Sequence, residues 1–210
     1  MIISHKHKFI FIHINRCGGT AIAKALLPYL DAKDVILGYT PQFEKISEKN
    51  KEKGYLWKHS RAIEVRKILG ENVWDNYFKF SFVRNPYDRI VSTYHWWIEN
   101  GENYRPDITK KIAAISFRAY LSSRYFYIKP CGYYIDDGNG NIIVDFIGKF
   151  ENINEDFGKI CNNIGFPIIG LTRQNLSRRS YNRNYYNNYK AKQIISNRFR
   201  KDIEFFGYDL

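Results

Sequence analysis

The chain has 210 residues, a length that fits one domain spanning 1–210. Hydrophobic residues at 44% and charged residues at 26% match ordinary globular usage and allow a real core. With 33 Lys and Arg against 21 Asp and Glu, the net charge is +12. That balance attracts polyanions, whether nucleic acid, anionic lipid or a charged small ligand, without choosing among them.

In chain order, residues 8–14 form a short apolar, β-branched and aromatic run that predicts a buried strand. The strongest apolar stretch, Phe9-Ile10-Phe11-Ile12, is far shorter than the roughly 20 residues that span a bilayer. No basic-then-apolar leader with a small-residue cleavage site precedes it. A Gly-containing turn over 15–19 leads to helical spacing over 20–30, with Ile22, Leu26, Leu27 and Leu30 on one side. Residues 41–54 read as a charged surface excursion, 55–57 as a short strand, and 62–69 as a helix stopped by Gly70. A second core strand is predicted over 77–83, and after Pro86, which suits a first helical turn, a helix over 87–99. Residues 108–121 predict one amphipathic helix, and Asp137-Gly138-Asn139-Gly140 a hairpin within 133–147. Helices are expected over 152–164 and 184–206. This alternation predicts an α/β fold with a mainly parallel central sheet flanked by helices. Cys17, Cys131 and Cys161 are odd in number with no C-x-x-C pair. They define neither a disulfide framework nor a zinc site, and a reducing, cytoplasmic location fits them.

Two strings carry chemistry. His13-Ile14-Asn15-Arg16-Cys17-Gly18-Gly19-Thr20 stands between a predicted strand and a predicted helix. Glycines allow a tight turn and close backbone approach, and a helix start offers N–H groups and a positive dipole end to an anion. Arg16 adds a fixed charge and Thr20 a hydroxyl. The competing reading is that Gly18-Gly19 only turns the chain and Arg16 faces solvent. The pattern G-x-x-x-x-G-K-[ST] is absent, which speaks against an ordinary nucleoside-triphosphate P-loop. In Phe82-Val83-Arg84-Asn85-Pro86-Tyr87-Asp88-Arg89-Ile90-Val91-Ser92, Arg84 ends an apolar strand. Ligands of open α/β sheets bind at such strand ends, and the guanidinium fork suits phosphate. Ser92 follows two helical turns on. Arg84 could instead cap a carboxylate and Ser92 lie on a helix surface; Asp88 and Arg89 read as structural.

Both strings resemble the carbohydrate sulfotransferase family. The first is similar to its 5′-phosphosulfate loop, H-I-P-K-T-x-G-T, and the second to its 3′-phosphate motif, F-V-R-N-P-Y-D-R-x-x-S. Similarity continues through Lys58-His59-Ser60, Phe150-Glu151-Asn152 and Asp202-Ile203-Glu204-Phe205-Phe206-Gly207-Tyr208. The resemblance implies a P-loop-kinase-like sulfotransferase fold and transfer of a sulfuryl group from 3′-phosphoadenosine 5′-phosphosulfate to a saccharide or glycolipid hydroxyl, with no metal. It implies an anionic nucleotide donor as partner rather than nucleic acid, with peripheral contact to an anionic membrane left open by the charge.

Residue by residue, the resemblance puts Arg16 where the family's lysine meets the phosphosulfate, Cys17 where threonine is common, and Asn15 where proline is usual. The implied donor-binding set is Arg16, Cys17, Gly18, Gly19, Thr20, Arg84 and Ser92. The implied catalytic pair is His59 as base and Arg16 as stabiliser of the leaving group. Without the resemblance His59 would read as a packing histidine. His13 reads as structural, and His95 as core packing or a cleft residue. Arg173, Arg178, Arg179 and Arg183, interleaved with Tyr181, Tyr185, Tyr186 and Tyr189, read as a solvated helix face or as donor, acceptor or nucleic-acid contacts. The alternatives to sulfuryl transfer are phosphoryl transfer on a related scaffold, a basic nucleic-acid-binding module, and a family member that binds the nucleotide without chemistry.

Overall fold

The computed structural model describes residues 1–167, 170–171, 183–186 and 189–209, with residues 183 and 184 described by their backbone. In chain order the elements are β1 (Ile2–Ser4), β2 (Phe9–Ile12), α1 (Gly19–Leu26), β3 (Val35–Ile36), α2 (Pro41–Glu52), α3 (Ala62–Leu69), α4 (Glu71–Asn76), β4 (Phe78–Val83), α5 (Pro86–Asn100), α6 (Pro106–Ala113), α7 (Phe117–Leu121), α8 (Gly132–Ile135), β5 (Phe146–Lys149), α9 (Ile153–Ile164), α10 (Tyr189–Arg198) and α11 (Arg200–Phe206). The chain forms two compact units, Met1–Arg84 with Cys131–Gln174, and Asn85–Pro130 with Asn175–Leu210.

The first unit carries an α/β architecture on a five-stranded sheet of order β3-β1-β2-β4-β5. The strands β2, β4 and β5 run parallel, as the alternation of elements predicts. Two short antiparallel strands, β1 and β3, extend the sheet beyond β2 and make it mixed. Every residue of β2 is buried, and so are five of the six in β4, the pattern of strands covered on both faces. Their register sets Ile12 opposite Ser81, and the Ser81 hydroxyl donates to the Ile12 carbonyl at 2.8 Å. Phe11 stacks on Phe80 at 5.1 Å between ring centroids. Gly148 of β5 stands opposite Phe82, whose ring fills the space that a side chain there would need. Helix α9 packs on β4 and β5 with Phe157, Ile160, Cys161 and Ile164 buried.

Several local expectations change. Residues 41–54 are a helix rather than an irregular excursion, started by Thr40, whose hydroxyl accepts from Phe43 N at 3.3 Å. Residues 55–57 form no strand. The 137–140 turn closes only an isolated bridge, Asp136 with Ile142, because residues 132–135 are helical and Phe146–Lys149 pairs with β4 instead. The single helix expected over 108–121 is two, since Ser116 caps α7 by accepting from Ala119 N at 3.3 Å.

The second unit is helical. Its core gathers Ile90, Val91 and Tyr94 of α5 with Ile112, Phe117, Tyr120, Phe126, Ile195 and Phe199. Arg89 is fully buried there and donates to the Lys129 carbonyl at 2.9 Å, consistent with a structural role. His95 meets the Tyr185 hydroxyl at 2.5 Å and sets its ring edge-on to Tyr94, so it packs. Tyr186 donates to the Tyr87 carbonyl at 2.5 Å. Arg173, Arg178, Arg179 and Tyr181 lie outside the described residues. No helix among the described residues is long and apolar enough to cross a membrane.

Candidate active site

The carboxyl ends of three adjacent parallel strands in the first unit supply the site. Chain leaving β2 forms the 13–18 loop, chain leaving β4 supplies Arg84, and chain leaving β5 supplies Phe150. Helix α1 then begins at Gly19 with Gly18 as its N-cap, at φ +82°. That left-handed conformation favours glycine, which has no Cβ to clash. Gly18 has no side chain to cap the helix; Ala21 N turns back to the Gly18 carbonyl at 3.0 Å, while the N–H groups before it precede any intrahelical acceptor. The helix start therefore presents N–H groups and the positive end of its dipole. Arg16 is also left-handed, at φ +63°.

The two glycines are demanded first by protein neighbours. A Cβ on Gly18 would lie 2.5 Å from Ile153 Cδ1 and 3.0 Å from Phe150 Cδ2. A Cβ on Gly19 would overlap the His13 imidazole, with its Cγ at 2.9 Å. We expect Gly19→Ala to cost about 3 kcal/mol, a melting-temperature loss of roughly 6–12 °C for a chain of this size. Combining it with His13→Ala should recover part of that loss, because the added methyl then occupies vacated space. Equal losses in the single and double variants would refute the packing argument.

Arg84 brings the second string to the first. Its side chain is buried, Nη1 donates to the Arg16 carbonyl at 3.1 Å, and the guanidinium lies 3.9 Å over the Phe150 ring. Stacking and the hydrogen bond fix the plane of the fork beside the helix start. Burial chiefly lowers the basicity of His13, and the Arg16 charge is the last of several smaller influences in the same direction. Thr20, in the first turn of α1, is half-buried. Cys17 is buried, with Sγ 3.6 Å from the Asn15 carbonyl and 3.9 Å from Cys131 Sγ. Its side chain thus points into the protein. Ser92 belongs to the second unit, where it is buried on α5.

His59 lies in the loop between α2 and α3. That loop is pinned where Lys58 N donates to Ser47 Oγ at 2.8 Å and Trp57 N to Ser60 Oγ at 3.0 Å. Its Nδ1 is 2.9 Å from the His13 carbonyl. A carbonyl oxygen can only accept, so Nδ1 carries the proton and Nε2 keeps its lone pair. Burial, followed by the nearby Lys58 charge, brings the imidazole down from 6.5 to about 3. His13 is also held well below its ordinary value, chiefly by burial. Its ring stacks on Tyr39 at 5.3 Å and tilts against His59 at 4.7 Å. Glu44 holds Lys58 in an ion pair and accepts from Tyr39 N at 3.1 Å.

His13, Tyr39, Lys58 and Glu44 are the residues that sequence reasoning missed around His59. The one available signal was the Lys58-His59-Ser60 string, which shows no partners. Phe150 was visible only as part of Phe150-Glu151-Asn152, with no role attached.

The first unit is thus an α/β sheet whose strand-end loop, helix start and buried Arg84 lie together, with a neutral imidazole in the same unit. The chain matches the sulfotransferase family over residues 1–209 and belongs to it. Carbohydrate sulfotransferase 10 of Xenopus laevis is 24% identical over 252 aligned positions, covering 99% of this chain and 67% of that protein. An uncharacterized protein of Archaeoglobus fulgidus is 33% identical over 105 residues, covering 49% of this chain and 80% of its own. Among solved structures, a sulfotransferase from Alicyclobacillus acidocaldarius aligns with a TM-score of 0.49 at 11% identity, covering 97% of this chain and 96% of that one.

Proposed function

We propose that the chain transfers a sulfuryl group from 3′-phosphoadenosine 5′-phosphosulfate to a hydroxyl of a saccharide or glycolipid. The observation that carries this reading is the Arg84 guanidinium on the backbone carbonyl of Arg16, which ties the end of β4 to the loop that opens α1. The 5′ end of the donor would be held by N–H groups of Gly18, Gly19 and Thr20 with Arg16, and its 3′-phosphate by Arg84; the family motif assigns Ser92 to that phosphate as well. When bound, the donor supplies the sulfuryl group and a stable bisphosphate leaving group. Held at both ends, it would be oriented for in-line attack, the arrangement from which positioning gains most.

His59 takes the acceptor's proton at Nε2, the ring nitrogen that the His13 carbonyl leaves bare. Arg16 faces the charge that develops on the departing side. Because arginine does not give up its proton near neutral pH, its role is electrostatic. The saccharide or glycolipid acceptor is supported by the likeness to a carbohydrate sulfotransferase and by the family motifs. The 40–58, 100–110 and 120–140 regions are where acceptor choice would be written, since variable loops on shared scaffolds carry specificity.

Calorimetric titration with adenosine 3′,5′-bisphosphate, with AMP and ATP as controls, tests the donor. Selective binding of the 3′-phosphorylated nucleotide is expected. A preference for ATP, or no nucleotide binding beside steep salt-dependent binding to random nucleic acid, would refute the proposal.

A further inference from the structure

Cys17 and Cys131 are 114 positions apart in the chain, yet their sulfurs lie 3.9 Å apart and both residues are 1% exposed. Cys17 is part of the phosphate loop, where the family motif has threonine. Cys131 directly precedes α8. The remaining cysteine, Cys161, is buried in α9. We propose that Cys17 and Cys131 form a thiol–disulfide modification site that reacts with a low-molecular-weight disulfide and, once closed, deforms the phosphate loop. The consequence for nucleotide binding rests on the donor-binding reading above; the cross-link itself does not.

The chemistry balances without a metal or a separate oxidant. One cysteine thiolate attacks a sulfur of glutathione disulfide and expels a glutathione thiolate. The second thiolate attacks the protein sulfur of that mixed disulfide and expels the other glutathione. Two protein thiols are oxidised to one disulfide, one small disulfide is reduced to two thiols, and the thiol protons pass to the departing glutathiones.

Closure brings the sulfurs from 3.9 Å to about 2.05 Å, an approach of roughly 1.9 Å. Cys17 stands between Arg16 at φ +63° and Gly18 at φ +82°, whose conformations hold the loop in its present shape. The loop has little slack to absorb the movement: Gly18 lies against Ile153 and Phe150, Gly19 against His13, and the Arg16 carbonyl is engaged by Arg84. Displacements near 1 Å in a positioning group reduce function by up to about 10²-fold. Both cysteines are buried, so the reagent enters only as the surrounding chain opens, and an anion bound on the loop should slow the reaction.

The test treats the reduced full-length protein with glutathione disulfide, maps disulfides by peptide mass spectrometry, and follows amide exchange over residues 14–22. The expected result is one cross-linked peptide joining Cys17 to Cys131, with Cys161 still free to alkylate. Exchange over the loop should rise, and affinity for adenosine 3′,5′-bisphosphate should fall at least about tenfold and return with dithiothreitol. Adenosine 3′,5′-bisphosphate added first should slow cross-linking. Cys131→Ser should keep its nucleotide affinity in the presence of the oxidant. Absence of the Cys17–Cys131 peptide, or its formation with unchanged exchange over the loop, would overturn the proposal. A reduced protein that binds no 3′-phosphorylated nucleotide would instead overturn the donor reading, while the cross-link and the exchange measurement would still decide this one.

Discussion

Replacing His59 with alanine is expected to lower turnover by about 10²–10⁴-fold, the contribution typical of a positioned general base. Affinity for adenosine 3′,5′-bisphosphate should change little. The argument begins with a backbone oxygen: His59 Nδ1 lies 2.9 Å from the His13 carbonyl, which accepts but cannot donate. The tautomer is thereby fixed, and Nε2 is the nitrogen able to receive a proton. Burial and the Lys58 charge keep the ring neutral down to about pH 3. The direction of the pH dependence follows. The folded-state value is depressed below 6.5, so the competent neutral form is lost only as the pH falls toward 3. The kcat/KM profile should accordingly lack an acid limb near 6.5. His59 gains basicity when anionic charge is bound in its vicinity, which moves any limb in kcat to higher pH. Steady-state kinetics across pH, with calorimetry on the same variant, checks both statements. Full turnover in His59→Ala would remove this residue from the mechanism.

Arg84→Ala should weaken adenosine 3′,5′-bisphosphate binding by about 10²-fold and leave AMP affinity nearly unchanged. Arg84→Lys should recover little. A lysine ammonium is a point charge without the planar fork, and it cannot both lie flat on Phe150 and donate sideways to the Arg16 carbonyl. The AMP control separates two causes. Loss of a 3′-phosphate contact affects only the 3′-phosphorylated ligand, whereas collapse of the 13–18 loop would weaken both. Parallel losses for the two nucleotides would make Arg84 a scaffold residue.

The legible parts of the structure were those whose information is local. The strands β2 and β4 announce themselves because Phe9-Ile10-Phe11-Ile12 and Phe78-Lys79-Phe80-Ser81-Phe82-Val83 are rich in β-branched and aromatic side chains. The two family motifs are legible because arginine, glycine and hydroxyl groups stand next to one another in the chain. The strands β1 and β3 have three and two residues, too few for a period to show. Helix α2 buries only Ser47, so it has no apolar stripe to read, although Thr40-Pro41 is a valid start signal. Most of the surroundings of His59 could not be read. Lys58 precedes it in the chain, but His13 and the 39–44 stretch lie far from it in sequence, and only tertiary packing makes them neighbours.

The parallel pairing of β2 with β4 bears on how such a protein can be recovered and assayed. Side chains alternate between faces, so a slip of one residue would exchange the two buried faces of β4 and undo the packing on each. A slip of two would keep the faces but carry Arg84 about 6.6 Å along the strand, out of reach of the Arg16 carbonyl. Neither slipped pairing retains the Arg84 bond to the Arg16 carbonyl. An immobilised 3′-phosphorylated nucleotide would consequently act as a conformational sieve, retaining molecules with the native register and passing the rest. The fraction retained from a refolding mixture would count correctly threaded chains without a substrate in hand.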